Sequence, residues 1–289
     1  KYPQTFGWQL DYVREGKILG QYIKQNFAGK KIGYFSQDDE FGQDGVKGLD
    51  QEIPKSSVVA RQTYQPSNTN VGPQVAALKA AGAEVVVSFS IPAFTALFRL
   101  TSLKLGYNPQ LAVSNVGSDP ITLSGLLEQF AKSAGAAVQG NPLIEGIITD
   151  GYLPSLGETN DDWIALFKKV HDQYDAKAPF DGNVLYGMAS AYSFVQALVK
   201  AGKNPTRKAL VKAVEAGLPQ GPAVAPYAYN QHDHSGMTGA YIGVIKGGVL
   251  VRQGEPGKQV MRTSPTSGSA VSPYTGSTQK APADGIPAG

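Results

Sequence analysis

Over its first 115 residues the chain repeats a short apolar run, a turn-rich joint and a stretch of helical period closed by glycine, the pattern of a parallel sheet with covering helices. Ile32-Gly33-Tyr34-Phe35-Ser36 reads as a strand, after which Phe41, Gly45, Val46, Leu49 and Ile53 recur at three- and four-residue spacing on a helix. Residues 58–63 form the next strand, and Val71, Val75 and Leu78 mark a helix that Gly82 is placed to end in the left-handed conformation. Val85-Val86-Val87-Ser88-Phe89 is a buried strand. Pro92 suits the first turn of a helix whose face carries Phe94, Leu97, Phe98 and Leu105, with Gly106 at its end. Residues 110–114 make a fourth strand, and Asp119-Pro120 caps and opens a helix through Leu123, Leu127 and Phe130.

After a further strand at 144–148 the character changes to three helical stripes with no strand between them. Asp161 caps one bearing Trp163, Phe167, Val170 and Tyr174. Gly182-Asn183 opens a long one through Leu185, Met188, Tyr192, Val195 and Val199, and Asn204-Pro205 begins a third that ends at Gly217. Residues 241–245 and 249–252 flank Lys246-Gly247-Gly248 as a hairpin bordering the sheet. From 263 to 289 the residues are Ser, Thr, Pro, Gly and Ala with almost no large apolar side chain, which predicts a flexible or surface-draped tail.

Composition narrows the function. At 42% hydrophobic residues in 289, the chain has enough apolar side chain for a full core, in one large or two modest domains. A net charge of only +3, spread without a basic block, excludes a surface that tracks nucleic-acid phosphates. With no cysteine there is no disulfide, thiolate nucleophile or Cys-held zinc. No apolar run approaches the roughly 18 residues of a membrane span. The opening Lys1-Tyr2-Pro3 implies that something upstream has been removed or was never included.

An ordered set of segments carries a resemblance: Tyr2-Pro3-Gln4-Thr5-Phe6-Gly7, Tyr12-Val13-Arg14-Glu15-Gly16, Lys31-Ile32-Gly33-Tyr34-Phe35, Asp38-Asp39-Glu40-Phe41-Gly42, Ala83-Glu84-Val85-Val86-Val87, Gly106-Tyr107 and Gly239-Ala240-Tyr241. Over roughly residues 1–255 the chain resembles the type I periplasmic binding proteins, specifically the branched-chain amino-acid binding group of ABC importers, which begin with a β-α-β half-domain absent here. The resemblance implies an α/β fold: a three-layer parallel-sheet lobe from residues 1–144 and 221–262, a helical remnant of the other lobe at 145–220, and the tail at 263–289. It implies a non-enzymatic, extracytoplasmic protein, periplasmic or held at the cell surface as a lipoprotein. Such a protein delivers a branched-chain amino acid or similar amide-like solute to an ABC importer permease, without cofactor or metal. A separate N-terminal fragment would complete the first lobe, and 2–7, 151–153 and 225–229 would cross between lobes. Because the helices at 160–217 lack a sheet of their own, the isolated chain is expected to offer half a cleft and to bind solute weakly. A ligand-sensing receptor ectodomain of the same fold and an α/β hydrolase are the alternatives.

In open α/β sheets ligands sit beyond the carboxyl ends of the strands. That places Gln37 and Phe41 in the first joint, Ser90 and Ile91 in the third, and Asn115 in the fourth among the candidate ligand contacts. The resemblance puts Phe41 against the ligand side chain, Ile91 where a pocket aromatic often sits, Asn115 where a carboxylate often receives an ammonium, and Tyr186 at the rim. Asp38, Asp39 and Glu40 precede a helix and read as capping charge rather than as a hydrolytic pair. His232-Asp233-His234 lacks a visible third ligand for a metal, and His171 is expected to face solvent. No Gly-x-Ser-x-Gly elbow or phosphate loop occurs, so no catalytic residue is assigned.

Overall fold

A computed structural model describes residues 3–255 and 258–287. Its strands are β1 (Ile32–Gln37), β2 (Val58–Tyr64), β3 (Val85–Phe89), β4 (Gln110–Val113), β5 (Ile148–Gly151), β6 (Gly239–Lys246), β7 (Val249–Arg252), β8 (Val260–Arg262) and β9 (Ser272–Pro273). They form one sheet in the order β2-β1-β3-β4-β5-β6-β8-β9, with β7 paired to β6. Strands β1 to β5 are parallel, and β6 enters antiparallel to β5. The expected parallel sheet is therefore mixed, and the hairpin reaches inside the sheet through β6 because β8 and β9 add beyond it.

Alternation along the central strands divides the core into two layers. Tyr34, Val85 and Val87 face one side with α1 (Tyr12–Asn26) and α2 (Glu40–Glu52). Phe35 and Val86 face the other with α3 (Gly72–Ala80), α4 (Pro92–Lys104) and α5 (Pro120–Ser133). The caps follow the sequence: Asp39 accepts from Gly42 N and Asp119 from Thr122 N, while Gly82 and Gly106 take φ of +71° and +61°. Helix α1 carries no clean apolar stripe, because its buried face includes Arg14, Glu15 and Lys17.

Three local readings are corrected. The stretch 144–148 is mostly not a strand: Ile144 closes α6 (Gly140–Ile144), Gly146 turns at φ +80° and, with Ile147, bonds to Ile245 of β6, and β5 itself begins at Ile148. The third late helix, α9 (Arg207–Glu215), starts beyond Asn204-Pro205, because the Thr206 hydroxyl supplies the cap to Ala209 N. His171 is buried, not solvent-facing. It follows Trp163 and Phe167 at four-residue spacing on α7 (Asp162–Tyr174), and its ring lies 5.2 Å from Phe180.

The late helices are partly covered by the chain itself. Trp163 and Phe167 on α7, and Leu185, Ala189 and Tyr192 on α8 (Gly182–Ala201), join the layer of Ile148, Tyr152 and Ile242. The 263–289 segment, expected to be a flexible or surface-draped tail, is draped and anchored over its described part. Trp163 Nε1 donates to the Gln279 carbonyl at 2.7 Å, Gly221 N donates to Gln279 Oε1 at 2.8 Å, and Val271 and Ala281 pack on the core. Its backbone carbonyls hold it where its composition could not. The outer side of α8 stays in solvent, with Phe194 55% and Val199 44% exposed. Of the expected crossings, Tyr2 lies outside the described residues.

Candidate functional site

A cavity of about 320 Å³ opens beyond the carboxyl ends of β4 and β5. Its wall combines Gln9 and Tyr12 at the start of α1, Asn115 to Ile121 between β4 and α5, Tyr152 to Leu156 after β5, Asn183 and Tyr186 on α8, and Tyr241 with Val249 and Leu250 of the hairpin. The starts of α1, α5 and α8 all reach it, capped by Asp11, Asp119 and Asp181. Asp119 ties two of them together: Oδ1 accepts Thr122 N of α5 at 2.8 Å and Oδ2 accepts Gly182 N of α8 at 2.9 Å. Both oxygens are committed, so this acid is a strut of the wall.

Asn115 stands where β4 gives way to a short 3-10 turn, Asn115–Gly117. Its N–H donates to Glu15 Oε1 at 2.8 Å and to Asp150 Oδ1 at 3.1 Å, and its Nδ2 donates to the Asp150 carbonyl at 2.8 Å. Tyr186 donates its hydroxyl to Gln9 Oε1 at 3.0 Å and sets its ring edge-on to Trp8 at 4.9 Å. Burial pushes the phenols of Tyr12, Tyr152 and Tyr186 up, so they remain neutral hydroxyls at physiological pH. The wall thus offers amides, phenols and helix N-termini around Val116, Ile121, Leu153, Leu156, Leu185, Val249 and Leu250.

Of the residues singled out from the sequence, the structure brings Asn115 and Tyr186 into this wall. Phe41 stands behind it, its ring 4.6 Å from that of Tyr12 and 5.8 Å from Phe89. The other three sit in the joints but not on the cavity. Gln37 is used up between Asp39 Oδ2 and the Tyr64 hydroxyl, which also accepts Ile91 N at 3.1 Å. Ser90 is fully buried between Ser88 and Thr95, with oxygen separations of 2.7 and 2.8 Å. Gln9, Tyr12, Tyr152 and Asp119 were not singled out as contacts. Tyr12 opens a segment quoted for the resemblance and Tyr152 lies in an expected crossing, but only the chain's return past β4 makes them neighbours in one wall.

The remaining polar clusters have local partners. Asp39 caps α2, and Asp38 accepts from Gln65 Nε2 at 2.7 Å. His234 stacks on Phe6 at 3.9 Å, with Nε2 3.2 Å from Glu215. Among the described residues no three His, Cys, Asp or Glu side chains converge as a metal would require.

A family model described as periplasmic binding protein matches residues 1–249. The chain belongs to the periplasmic binding proteins, of type I. A curated relative, "Leu/Ile/Val-binding protein homolog 8" of Brucella melitensis, is 25% identical over 219 residues, which cover 72% of this chain and 51% of the relative. The chain therefore spans about half the length of the curated relative it matches. Among solved structures, a branched-chain amino acid ABC transporter protein of Thermus thermophilus with bound valine superposes with a TM-score of 0.71 at 20% identity, covering 87% of this chain and 66% of that one. A fatty acid ABC transporter substrate-binding protein of Thermomonospora curvata gives 0.69 at 18%, covering 91% and 67%. These structures share the fold, and the family consists of extracytoplasmic solute-binding proteins. Among the described residues no helix of this member is long and apolar enough to cross a membrane.

Proposed function

We propose that this chain is the solute-recognising part of a binding protein that delivers a small aliphatic amino acid, or an amide of one, to an ABC importer outside the cytoplasm. The observation that carries it is the cavity of about 320 Å³ at the strand ends, at the small end of ligand sites, where helix N-termini and neutral hydroxyls surround an apolar floor. Helix N-termini suit a carboxylate, the Asn115 amide suits an amine or amide, and the aliphatic side chains suit a branched tail. The names of the Brucella and Thermus relatives favour the same solute class.

The mechanism is closure. A solute touching two lobes binds the closed form better and shifts the population by that difference. In this reading residues 1–144 and 221–262 are one lobe, and 145–220 contributes helices to the other. The exposed Phe194 and Val199 would be covered by strands of a preceding segment or separate fragment.

Titration calorimetry with leucine, isoleucine, valine and their amides tests both parts. Weak binding that weakens further in Tyr186→Ala is expected. Submicromolar leucine binding by this chain alone would overturn the half-cleft, and no response to any of these solutes at millimolar concentration would overturn the solute class.

A further inference from the structure

Directly beneath Asn115 lie two acids that have no counter-charge among the described residues. Glu15 on α1 is 1% exposed and Asp150 on β5 is 0% exposed. Both carboxyl groups accept the same Asn115 N–H, Glu15 Oε1 at 2.8 Å and Asp150 Oδ1 at 3.1 Å, so they meet at one donor, and the second Asp150 oxygen is buried with no hydrogen-bond partner. Two ionised carboxylates converging on one N–H within an apolar layer are strongly disfavoured, and one proton held between them removes the repulsion.

Among the described residues no cation takes the place of that proton. On α1, Arg14 and Lys17 flank Glu15 in sequence, but both turn to the C-terminal segment. Arg14 Nε donates to the Thr263 carbonyl at 3.0 Å while another of its nitrogens pairs with Asp11, and Lys17 Nζ donates to the Ser264 and Ser269 carbonyls. Asp11, on the same helix, adds negative charge toward Glu15. The other groups around the pair are the Ser114 hydroxyl at the end of β4 and three phenols, Tyr12 of α1, Tyr152 after β5 and Tyr241 of β6, with Tyr186 of α8 beyond Tyr12 and Tyr152; the Arg252 guanidinium lies 4.1 Å over the Tyr241 ring and is paired with Glu158. Burial keeps those phenols neutral.

We propose that Glu15 and Asp150 share a single proton, and that this protonated pair is the clasp that ties α1 to β5 and fixes Asn115 in the cavity wall. Loss of the proton to a base in solution leaves two buried anions and releases the clasp, which makes the pair a pH-sensitive positioning device. Burial raises both groups above ordinary carboxylates, with the Glu15 charge adding to the rise at Asp150 and the Asp11 charge adding to it at Glu15. In the interval between the unfolded value and the raised folded value the native chain holds the extra proton, so stability falls as pH rises. The proposal stands on the pair itself, whichever solute the cavity takes.

The test is carboxyl-selective NMR titration of the whole chain, with thermal unfolding followed across the same pH range. One carboxyl proton is expected to persist well above the usual range near about 4, and Tm is expected to decline with pH. In Glu15→Gln and in Asp150→Asn an amide donates where the shared proton stood, so the persistent proton is expected to vanish and the slope to flatten. Two carboxyls that ionise together near about 4 in the unchanged chain would overturn the proposal, as would a cation held between them on elemental analysis. Because the NMR readout uses the natural sequence, it decides the matter even if a variant fails to fold.

Discussion

Lys17 and Ser269, 252 positions apart, meet at 2.6 Å, and the same ammonium reaches the carbonyls of Ser269 at 2.7 Å, Ser264 at 2.9 Å and Thr266 at 3.3 Å. A fully buried lysine head is thus caged by a segment that has almost no apolar side chains. Burial pulls the Lys17 ammonium down from its ordinary value, so the carbonyl cage has to supply what water no longer does.

Replacing that lysine should therefore loosen the far end of the chain. Lys17→Met keeps the apolar stem and strands the carbonyls, for an expected loss of about 2–3 kcal/mol in urea unfolding. Amide protons of 264–270 should exchange faster in the same variant. Unchanged exchange there would mean that the cage does not hold the segment.

Asp119 bears on both the fold and the site. It accepts N–H groups from α5 and α8, so Asp119→Ala removes the cap of α5 and an acceptor for the first turn of α8, at about 1 kcal/mol each. Asp119→Asn keeps one acceptor oxygen and should lie between the two. Urea midpoints in that order, with weaker solute binding in the alanine variant, are the expected outcome. Equal midpoints for alanine and asparagine would remove Asp119 from the wall.

What could be seen beforehand follows from how local each signal is. The strand at 85–89 and the caps at Asp39, Asp119 and Asp161 were legible because alternation and capping are properties of a few neighbouring residues. Helix α1 was not singled out because three of its buried positions are charged, and only the distant tail and Asp150 explain why. The site divided the same way. Asn115 lies beyond a readable strand end and came into view, whereas Gln37 and Ser90 lie in equally readable joints but spend their polar groups on Tyr64, Ser88 and Thr95. Which joint is consumed internally and which faces a cavity depends on side-chain partners far apart in sequence.

The crossing of α1 on α2 gives a sharper contrast among glycines. A methyl at Gly48 would stand 2.2 Å from the Val13 carbonyl oxygen, and one at Gly16 at 2.2 Å from that of Gly45, so backbone itself would have to move. Gly48→Ala should destabilise by about 3 kcal/mol and, by pushing α1 away from the sheet, weaken the Glu15 contact with Asp150. Gly125 sits in α5 with open space at its Cβ position, and Gly125→Ala should stabilise by up to about 1 kcal/mol. Chemical denaturation of the two variants side by side checks the difference, and similar midpoints would show that the helices do not cross so closely.

The outer side of α8 sets the last expectation. Phe194, Val195 and Val199 are 55%, 41% and 44% exposed and fall within two turns of one helix, a patch that isolated soluble chains seldom carry uncovered. If that face is built to be covered, the purified chain should self-associate with rising concentration in sedimentation velocity. Phe194→Lys should suppress this while moving unfolding by no more than about 0.5 kcal/mol, since the replaced ring is mostly in water. Suppression together with a large loss of stability would place Phe194 in the fold instead, and a wild-type chain that stays monomeric at high concentration would argue that α8 needs no cover.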